Sequence, residues 1–429
     1  MDGRGSRLEE MKTSRWTSEL RDRLNASARE VGFAAAGVAR VPSREEPEAA
    51  VDAQRFGAWI DAGRAGEMGY LGRRDECGEL VRGALYRAMP WARSVVVCAW
   101  NYNAEGPRSI NAAPEGAGWI ARYAWMGHAR GDGTLGPTDY HDELLGRLRQ
   151  VEAKLLEEAD CITRCYVDTG PILERDFAAK AGIGWIGKNT CVLNQELGSW
   201  FLLAVMVTSL PVEESVAELV AADRCGTCTR CIDLCPTDAL LAGRDPASAR
   251  EMDATRCISY LTIEKKGAID EDLHEGIGRN VFGCDICQEV CPWNRRAPIA
   301  SSVQTRSELV NPPLEWLASM DSAEFKRQFK GSPLERTGRK RLLRNLAIAM
   351  GNSGKQEFLP HLDRWAEEKG EGLAHAGLRA AADAARRRIR SATEAANVQN
   401  ASASLVVMST GAPQANEESD ASPNCDAAR

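Results

Sequence analysis

The sequence predicts an α/β domain, then a small cysteine-rich α+β module, then a C-terminal α-helical region. Three observations predict this order. Strand and helix periodicities alternate over residues 16–215, closely spaced cysteines occupy 216–300, and helical patterns without strands follow over 301–390. A tail at 391–429 is rich in Ala, Ser, Asn and Glu, with few bulky side chains, and is expected to be disordered.

The α/β domain is predicted from the spacing of apolar residues. Val95–Trp100 and Trp200–Val207 are apolar runs with the length of buried strands. A helical pattern extends from Thr17 to Val31, and Leu144–Leu156 places its leucines and its valine on one helix face. This mixture of strands and helices shows no obvious internal repeat.

The C-terminal region is predicted from two helical patterns, Leu342–Met350 and Leu373–Ile389. A turn at Gly351–Gly354 is expected to end the first of them. The Arg-Asn-Leu-Ala-Ile-Ala-Met-Gly-Asn run resembles a HEAT-type repeat, so a HEAT-like helical region is expected here.

Length and composition limit the classes of protein. A chain of 429 residues is long enough for two or three domains of roughly 100–200 residues each. It contains no run of about eighteen apolar residues, and its N-terminus has neither an apolar signal core nor a twin-arginine pair. We therefore expect a cytoplasmic protein without membrane contact, and we treat it as a monomer.

Fourteen cysteines in a large intracellular chain indicate metal binding rather than disulfide bonds. Cys225–Pro236 has the spacing C-x₂-C-x₂-C-x₃-C-P, which is typical of bacterial ferredoxins with two 4Fe–4S clusters. Three close thiolates hold one cluster, and the fourth, before the proline, binds the other cluster. A second run, Cys284–Pro292, has three cysteines, and Cys257 upstream can complete its set.

The sequence therefore predicts two 4Fe–4S clusters with interleaved ligands. The first cluster is expected on Cys225, Cys228, Cys231 and Cys291. The second is expected on Cys235, Cys257, Cys284 and Cys287. Zinc also binds pairs of C-x₂-C, but it gives no reason for a Cys-Pro step after both runs. The other cysteines form no such set: Cys77, Cys98, Cys161, Cys165, Cys191 and Cys425.

Gly182–Gly187 matches the G-x-G-x-x-G pattern of dinucleotide sites, yet no dinucleotide is expected there. The preceding Pro171–Ala181 segment has a helical pattern where such a site requires a strand, and no acidic residue follows about twenty positions later. The glycines can equally let the backbone approach another group closely.

Asp168 is the candidate catalytic residue. It follows the strand-like Arg164–Val167 and precedes a Gly-Pro break, which is a suitable place for a proton donor. Alternatively, Asp168 caps the helix predicted from Pro171, and spacing alone does not decide between these roles. A general acid must hold a proton at neutral pH, so burial of this carboxyl group is expected.

Several motifs together resemble the epoxyqueuosine reductase family. They occur in consistent order over residues 17–390, at Arg122–Trp125, Asp139–His141, Val167–Arg175, Gly182–Lys188, Cys257–Glu264 and Gly283–Asn294. The resemblance implies a cobalamin in the α/β domain, beside the clusters. It also implies removal of the epoxide oxygen from epoxyqueuosine at the wobble position of tRNA. The clusters would reduce cob(II)alamin to cob(I)alamin, a strong nucleophile, while an acid protonates the departing oxygen.

The same resemblance implies that Asp168 is the proton donor and contacts cobalamin. Other cobalamin contacts, some through the backbone, are implied at Arg82, Ala121, Val192, Ser199, Leu203, Ser259 and Asp285. His141 is either a cobalt ligand or a structural residue, and the structural role is favoured. The glycine-rich segment 126–138 is longer than the family usually has, and a surface loop is expected there.

Clusters of basic residues indicate where tRNA would bind, although the net charge is −7. Lys265, shortly after Cys257, is the expected RNA contact. Two basic stretches, at 326–344 and 386–390, either bind along the phosphate backbone of the tRNA or form solvated helix faces. The partners expected are thus a tRNA carrying epoxyqueuosine and a low-potential electron donor that the sequence does not identify.

Two other functions are weighed against this one. A cobalamin-dependent reductive dehalogenase also combines cobalamin with two clusters, but it usually carries a twin-arginine signal and resembles this chain less around Asp168. A plain electron-transfer protein has no need of the large α/β domain or the helical region. Cobalamin content distinguishes the electron-transfer protein from the two cobalamin enzymes. Binding of tRNA distinguishes the epoxyqueuosine reductase from the dehalogenase.

Overall fold

The computed structural model describes residues 12–213, 220–241 and 250–409. Its helices, in chain order, are α1 (Ser18–Glu30), α2 (Pro47–Asp61), α3 (Leu85–Ala88), α4 (Tyr140–Glu158), α5 (Glu174–Lys180), α6 (Arg230–Asp233), α7 (Ile258–Ile263), α8 (His274–Ile277), α9 (Ile286–Glu289), α10 (Leu314–Ser319), α11 (Ser322–Phe329), α12 (Gly338–Ser353), α13 (Leu359–Ala366) and α14 (Leu373–Ser409). Its strands, in chain order, are β1 (Ala35–Arg40), β2 (Ser94–Asn101), β3 (Trp119–Ile120), β4 (Met126–Ala129), β5 (Leu135–Pro137), β6 (Thr163–Tyr166), β7 (Trp185–Ile186), β8 (Val192–Leu193), β9 (Phe201–Thr208), β10 (Leu240–Leu241), β11 (Glu251–Met252), β12 (Asn280–Phe282) and β13 (Gln304–Thr305).

A four-stranded sheet in the order β1-β2-β9-β6 forms the centre of the N-terminal part. Each neighbouring pair is antiparallel, and β2 pairs with β9 from Ser94 opposite Thr208 to Asn101 opposite Phe201. The two apolar runs predicted to be strands are β2 and β9, so these two predictions are confirmed. An antiparallel sheet covered by helices differs from the parallel sheet of a dinucleotide-binding fold.

Both faces of β2 are apolar because helices cover both sides of the sheet, and successive side chains of a strand point to opposite faces. The core shared with α1 and α4 contains Val96, Cys98 and Trp100. The opposite core, shared with α5, contains Val95, Val97 and Ala99. The hydroxyl oxygen of Thr17 accepts a hydrogen bond from the Leu20 amide at 3.2 Å and caps α1, where the sequence predicted a helix.

The glycine-rich segment Gly182–Gly187 enters a short antiparallel hairpin of β7 and β8. A Cβ atom on Gly184 would lie 2.0 Å from the carbonyl oxygen of Leu193. Close packing against the backbone of Leu193 therefore explains why residue 184 is a glycine. The helix α5 precedes the glycine-rich segment, as the sequence predicted.

The long segment 126–138 is a β-hairpin rather than an irregular loop. β4 pairs with β5, and β13 adds a third antiparallel strand on the other side of β4. The turn between β4 and β5 is exposed, which agrees with the predicted surface position.

The predicted parts interlock across their boundaries. β3, within the predicted α/β domain, pairs in parallel with β12 of the cysteine-rich module, and β13 pairs back onto β4. The predicted boundary between residues 215 and 216 lies outside the described residues. β10 and β11 form a separate antiparallel pair within the cysteine-rich module.

The C-terminal helices pack around α12, which contacts α14, α10, α8 and β12. α12 continues three residues beyond the predicted end at Met350, and it stops after Ser353 because Gly354, the last residue of the predicted turn, adopts a left-handed conformation with φ of 69°. α14 continues to Ser409, so residues 391–409, expected within a disordered tail, are helical. This stretch contains several alanines, and alanine has the highest helix propensity of all residues. Residues 410–429 lie outside the described residues.

Among the helices that the structure describes, none is both long and apolar enough to cross a bilayer.

Candidate functional site

The thiols of the two cysteine runs gather in two groups. Burial, and then the thiols of Cys291, Cys225 and Cys228, raises the pKa of Cys231 to about 12. Cys291 is the last cysteine of the second run, yet it lies with the first three of the first run. This arrangement supports the interleaved ligand set that the spacing predicts for the first cluster.

The second group also combines both runs. Burial, and then the neighbouring Cys257 and more weakly Cys235, raises the pKa of Cys284. Cys287 interacts in turn with Cys284 and Cys257. Cys257 begins α7, and Cys235 lies in the turn after α6, so short helices present both thiols. These interactions support the set predicted for the second cluster.

No three His, Cys, Asp or Glu side chains within the described ranges converge closely enough to hold a single metal ion. A 4Fe–4S cluster is a larger body, and its ligands are separated by its own width. Eight thiols in two sets of four are the donor chemistry that two such clusters require.

Cys191 is a partly buried cysteine whose place beside the cluster ligands was not predicted from the sequence. Its hydrogen bond with Cys287 lowers the pKa of Cys191 to about 7. The loop before it contacts both runs. Lys188 donates to the carbonyl oxygens of Gly226 and Cys228 at 2.7 and 3.0 Å, and Asn189 Nδ2 donates to that of Cys287 at 3.4 Å. Cys191 belongs to no spaced motif, so only the tertiary contact reveals it.

A buried network joins the α/β part to the cysteine-rich module. The Arg122 amide donates to Asp285 Oδ2 at 2.7 Å, and the Arg122 guanidinium pairs with Glu289 at 2.7 Å. This guanidinium also lies 4.4 Å from the centre of the Trp200 ring. Burial raises the pKa of Asp285 to about 6. Asp285 and Ala121, two predicted cobalamin contacts, therefore lie at this junction.

Asp168 lies just beyond the end of β6, as predicted, but its side chain is exposed and not buried. Its backbone has a φ of 57°, which turns the chain sharply at the edge of the sheet and directs the residue outward. The capping alternative is wrong, because α5 begins after Leu173 without a side-chain cap.

Tyr140 holds Asp168 in place. The Tyr140 hydroxyl donates to Asp168 Oδ2 at 2.8 Å. Burial, and then the charge of Asp168, raises the pKa of Tyr140, so this hydroxyl keeps its proton. Tyr123 packs edge-on against Tyr140 and also contacts Phe282 of β12. Aromatic contacts thus connect the candidate acid to the cysteine-rich module.

His141 follows Tyr140 on α4. Its Nδ1 lies 2.6 Å from Asp139 Oδ1 and 2.9 Å from Arg336 Nη2, while its Nε2 is buried without a hydrogen-bond partner among the described residues. These contacts support the structural role favoured from the sequence.

The other predicted cobalamin contacts lie on several elements. Arg82 donates to the carbonyl oxygen of Ile172 at 3.1 Å, and Val192 and Leu203 pack in the same core as Ile172. Burial raises the pKa of Tyr70, and the charges that act on it most are those of Glu264, Arg82 and Asp168. Arg82 and Asp168 therefore both lie close enough to Tyr70 for their charges to act on it.

Two predicted contacts are serines. Ser199 donates from Oγ to Gln288 at 2.9 Å. The Ser259 carbonyl accepts from Thr262 Oγ1, which in turn accepts from the Gly283 amide at 2.9 Å. Gly283 approaches so closely that a Cβ atom there would lie 2.5 Å from that of Ala121. Gly283 and Ala121 therefore pack directly against each other, and their small side chains let the sheet and the module approach closely here.

Lys265, the expected RNA contact, pairs with Glu67 at 2.8 Å and is partly exposed. Arg344, within the 326–344 stretch, is instead fully buried. It donates to the carbonyl oxygens of Lys265, Gly267 and Leu261 at 2.8, 2.7 and 2.5 Å. Arg344 is therefore a structural residue and not a phosphate contact, because the tight turn after α7 needs donors for its carbonyl groups.

We expect Arg344→Met to destabilise the fold by about 3 kcal/mol, because three carbonyl groups lose a charged donor in a buried place. Denaturant unfolding followed by circular dichroism measures the change. Arg327→Met is the matched control, since this side chain is 68% exposed and should change stability by less than about 0.5 kcal/mol. Equal stability of the two variants would contradict the structural role of Arg344.

Comparison with known proteins adds two family models. The model described as "4Fe-4S double cluster binding domain" matches residues 224–294, which contain all eight predicted ligands. The model described as "Epoxyqueuosine reductase QueG, DUF1730" matches residues 82–169, from Arg82 to the residue after Asp168.

Curated relatives match most of the chain. The epoxyqueuosine reductase of Xanthomonas campestris is 36% identical over 352 residues, covering 80% of this chain and 89% of the relative. That of Pseudomonas aeruginosa is 39% identical over 334 residues, covering 76% and 83%. The chain belongs to the epoxyqueuosine reductase family.

Solved structures of epoxyqueuosine reductases have the same fold. One contains an epoxyqueuosine-modified stem loop of tRNA-Tyr and matches with a TM-score of 0.71 at 27% identity, covering 86% of this chain and 90% of that one. Another, from Bacillus subtilis, has its catalytic aspartate loop swung out of the active site and matches with a TM-score of 0.69 at 26% identity, with the same coverage. The chain thus has the mixed α/β fold of an epoxyqueuosine reductase, with a 4Fe–4S double-cluster domain.

Proposed function

We propose that this chain reduces epoxyqueuosine to queuosine at the wobble position of tRNA, with Asp168 as the proton donor. The observation that carries the proposal is the hydrogen bond from Tyr140 to Asp168, at the edge of a domain that adjoins two sets of cluster-ligand thiols. The net reaction consumes two electrons and two protons, forms a C=C bond, and releases the epoxide oxygen as water. An acid beside a low-potential redox centre suits this chemistry.

The two sets of thiols would hold the clusters: Cys225, Cys228, Cys231 and Cys291 in one, and Cys235, Cys257, Cys284 and Cys287 in the other. A bound cobalamin, when reduced, supplies a strong nucleophile for an epoxide carbon. We assign its contacts to Arg82, Ala121, Asp168, Val192, Ser199, Leu203, Ser259 and Asp285. The neutral Tyr140 hydroxyl orients Asp168 Oδ2, and Asp168 donates the proton to the opening epoxide oxygen. Membership of the family favours this reaction over reductive dehalogenation.

The proposal extends to organisation and partners. We divide the chain into a cobalamin-binding α/β domain at 16–215, a ferredoxin-like module at 216–300, a HEAT-like helical region at 301–390 that contacts tRNA, and a tail at 391–429. The protein would act as a monomer in the cytoplasm, with electrons from a low-potential donor.

Expression in a bacterium that lacks its own epoxyqueuosine reductase tests the proposed function. We expect queuosine to replace epoxyqueuosine when the tRNA nucleosides are separated and analysed by mass spectrometry. Persistence of epoxyqueuosine, with the protein present and both clusters loaded, would contradict the proposal.

Lys265→Ala is expected to weaken binding of the tRNA anticodon stem loop and to reduce the salt dependence of binding by about one unit of slope, because one phosphate contact is lost. Fluorescence anisotropy at several salt concentrations measures both quantities. Lys154→Ala is the control, since Lys154 also pairs with a glutamate, Glu157, but lies on the exposed face of α4. An unchanged salt slope for Lys265→Ala would exclude this lysine as a phosphate contact.

A further inference from the structure

A second carboxyl group, that of Glu174, lies near Asp168. Glu174 begins α5, on the segment that follows Asp168. Its Oε1 is buried and has no hydrogen-bond partner among the described residues. Burial, and then the negative charge of Asp168, raises the pKa of Glu174 to about 7. A buried carboxyl oxygen without a donor is tolerated far better in the neutral acid than in the carboxylate.

The charged groups that act most on Glu174 are Asp168, Arg82 and Arg175. The two guanidinium groups are directed to backbone carbonyl oxygens, Arg82 to that of Ile172 at 3.1 Å and Arg175 to that of Thr190 at 2.9 Å. The strongest charge acting on Glu174 is therefore the carboxylate of Asp168. Two carboxyl groups that interact in this way favour the state in which one of them holds a proton.

The proposed reaction needs more protons than Asp168 carries. The first C–O bond of the epoxide breaks as its oxygen takes one proton, and the second breaks as this oxygen takes another and leaves as water. Asp168 is a single acid, so it must be protonated again within each turnover. A second acid on the same segment, with a buried carboxyl oxygen, is well placed to protonate Asp168.

We propose that Glu174 is the proton reservoir of the site and supplies, through Asp168, the proton for each of the two C–O cleavages. This inference rests on the proposed function. Asp168 takes the proton of Glu174 and passes it to the oxygen as the first C–O bond breaks. A second transfer along the same path, after Glu174 has regained a proton, supplies the proton with which the oxygen leaves as water. The clusters supply the two electrons, and solvent reprotonates the half-buried Glu174. Glu174 acts through Asp168 and does not touch the substrate.

Infrared titration of the reconstituted protein tests the pair without turnover. We expect the wild type to show a protonated-carboxyl component that titrates at a pH of about 7 and that Glu174→Gln lacks, separate from that of Asp285, whose pKa burial raises to about 6. Asp168→Asn should keep the Glu174 component but lower its midpoint, because a negative neighbour has been removed. A midpoint unchanged by Asp168→Asn would overturn the coupling and the relay with it.

The pH profile of turnover tests the relay itself. Because an acid loses its proton as the pH rises, wild-type turnover should fall above a pH of about 7. Glu174→Gln should be about 100-fold slower and should lack this fall, and Glu174→Asp should restore part of the rate. An active wild type whose Glu174→Gln variant keeps both rate and profile overturns the relay alone. An inactive wild type overturns the proposed function and, with it, the relay.

Discussion

Asp168→Asn is expected to reduce turnover of epoxyqueuosine tRNA by about 10²–10⁴-fold, the usual contribution of a general acid, while both clusters stay in place. Asparagine is the informative replacement for two reasons. It tolerates the left-handed backbone at φ of 57°, and its carbonyl oxygen can still accept the Tyr140 hydrogen bond. The variant therefore removes the proton and little else.

Single-turnover and steady-state assays on anaerobically reconstituted protein measure this loss. Asp160→Asn is the control, since Asp160 is an exposed aspartate on the loop before β6 and should leave the rate unchanged. Iron content and tRNA affinity should match the wild type in both variants. An Asp168→Asn protein with full turnover would exclude Asp168 as the acid.

Cys257→Ala is expected to remove one cluster and all turnover. The iron content should fall from about eight atoms per chain to about four, because one 4Fe–4S cluster loses a ligand while the other keeps its four. Cys257 is the ligand that lies outside both runs, so it gives the sharpest test of the assignment. Cys77→Ala is the matched control, since this thiol is exposed and belongs to no set.

Electron paramagnetic resonance of the reduced protein checks the same point, because the interaction between two adjacent clusters should disappear with the second cluster. Full iron content in Cys257→Ala would mean that another thiol completes the set. Cys191, which is hydrogen-bonded to Cys287, would then be the first replacement ligand to test.

Local sequence patterns predicted the features that local chemistry determines. β2 and β9 are continuous apolar runs because helices bury both of their faces, so their positions could be read directly. The spacing of the cysteines follows from the geometry of a cluster and needs no tertiary information. The position of Asp168 was predicted for a similar reason, since the strand before it and the Gly-Pro break after it are both local features.

Features that depend on long-range contacts could not be predicted. Arg344 belongs to a basic run on a helix, and only the approach of the 261–267 segment converts it into a buried donor. The expected burial of Asp168 was wrong, because the left-handed turn directs this side chain outward and the buried carboxyl is that of Glu174. The parallel pairing of β3 with β12 joins residues about 160 positions apart, and neither short strand has a distinctive pattern.

Conversion of epoxyqueuosine by the purified protein is the most direct test of the proposed activity. The protein is reconstituted anaerobically with iron, sulfide and cobalamin. It is then mixed with a low-potential reductant and a tRNA that carries epoxyqueuosine. The tRNA is digested, and its nucleosides are analysed by mass spectrometry. We expect epoxyqueuosine to lose the mass of one oxygen atom, and we expect omission of cobalamin or reductant to prevent the loss. Unchanged epoxyqueuosine, with both clusters and cobalamin fully loaded, would contradict the proposed activity.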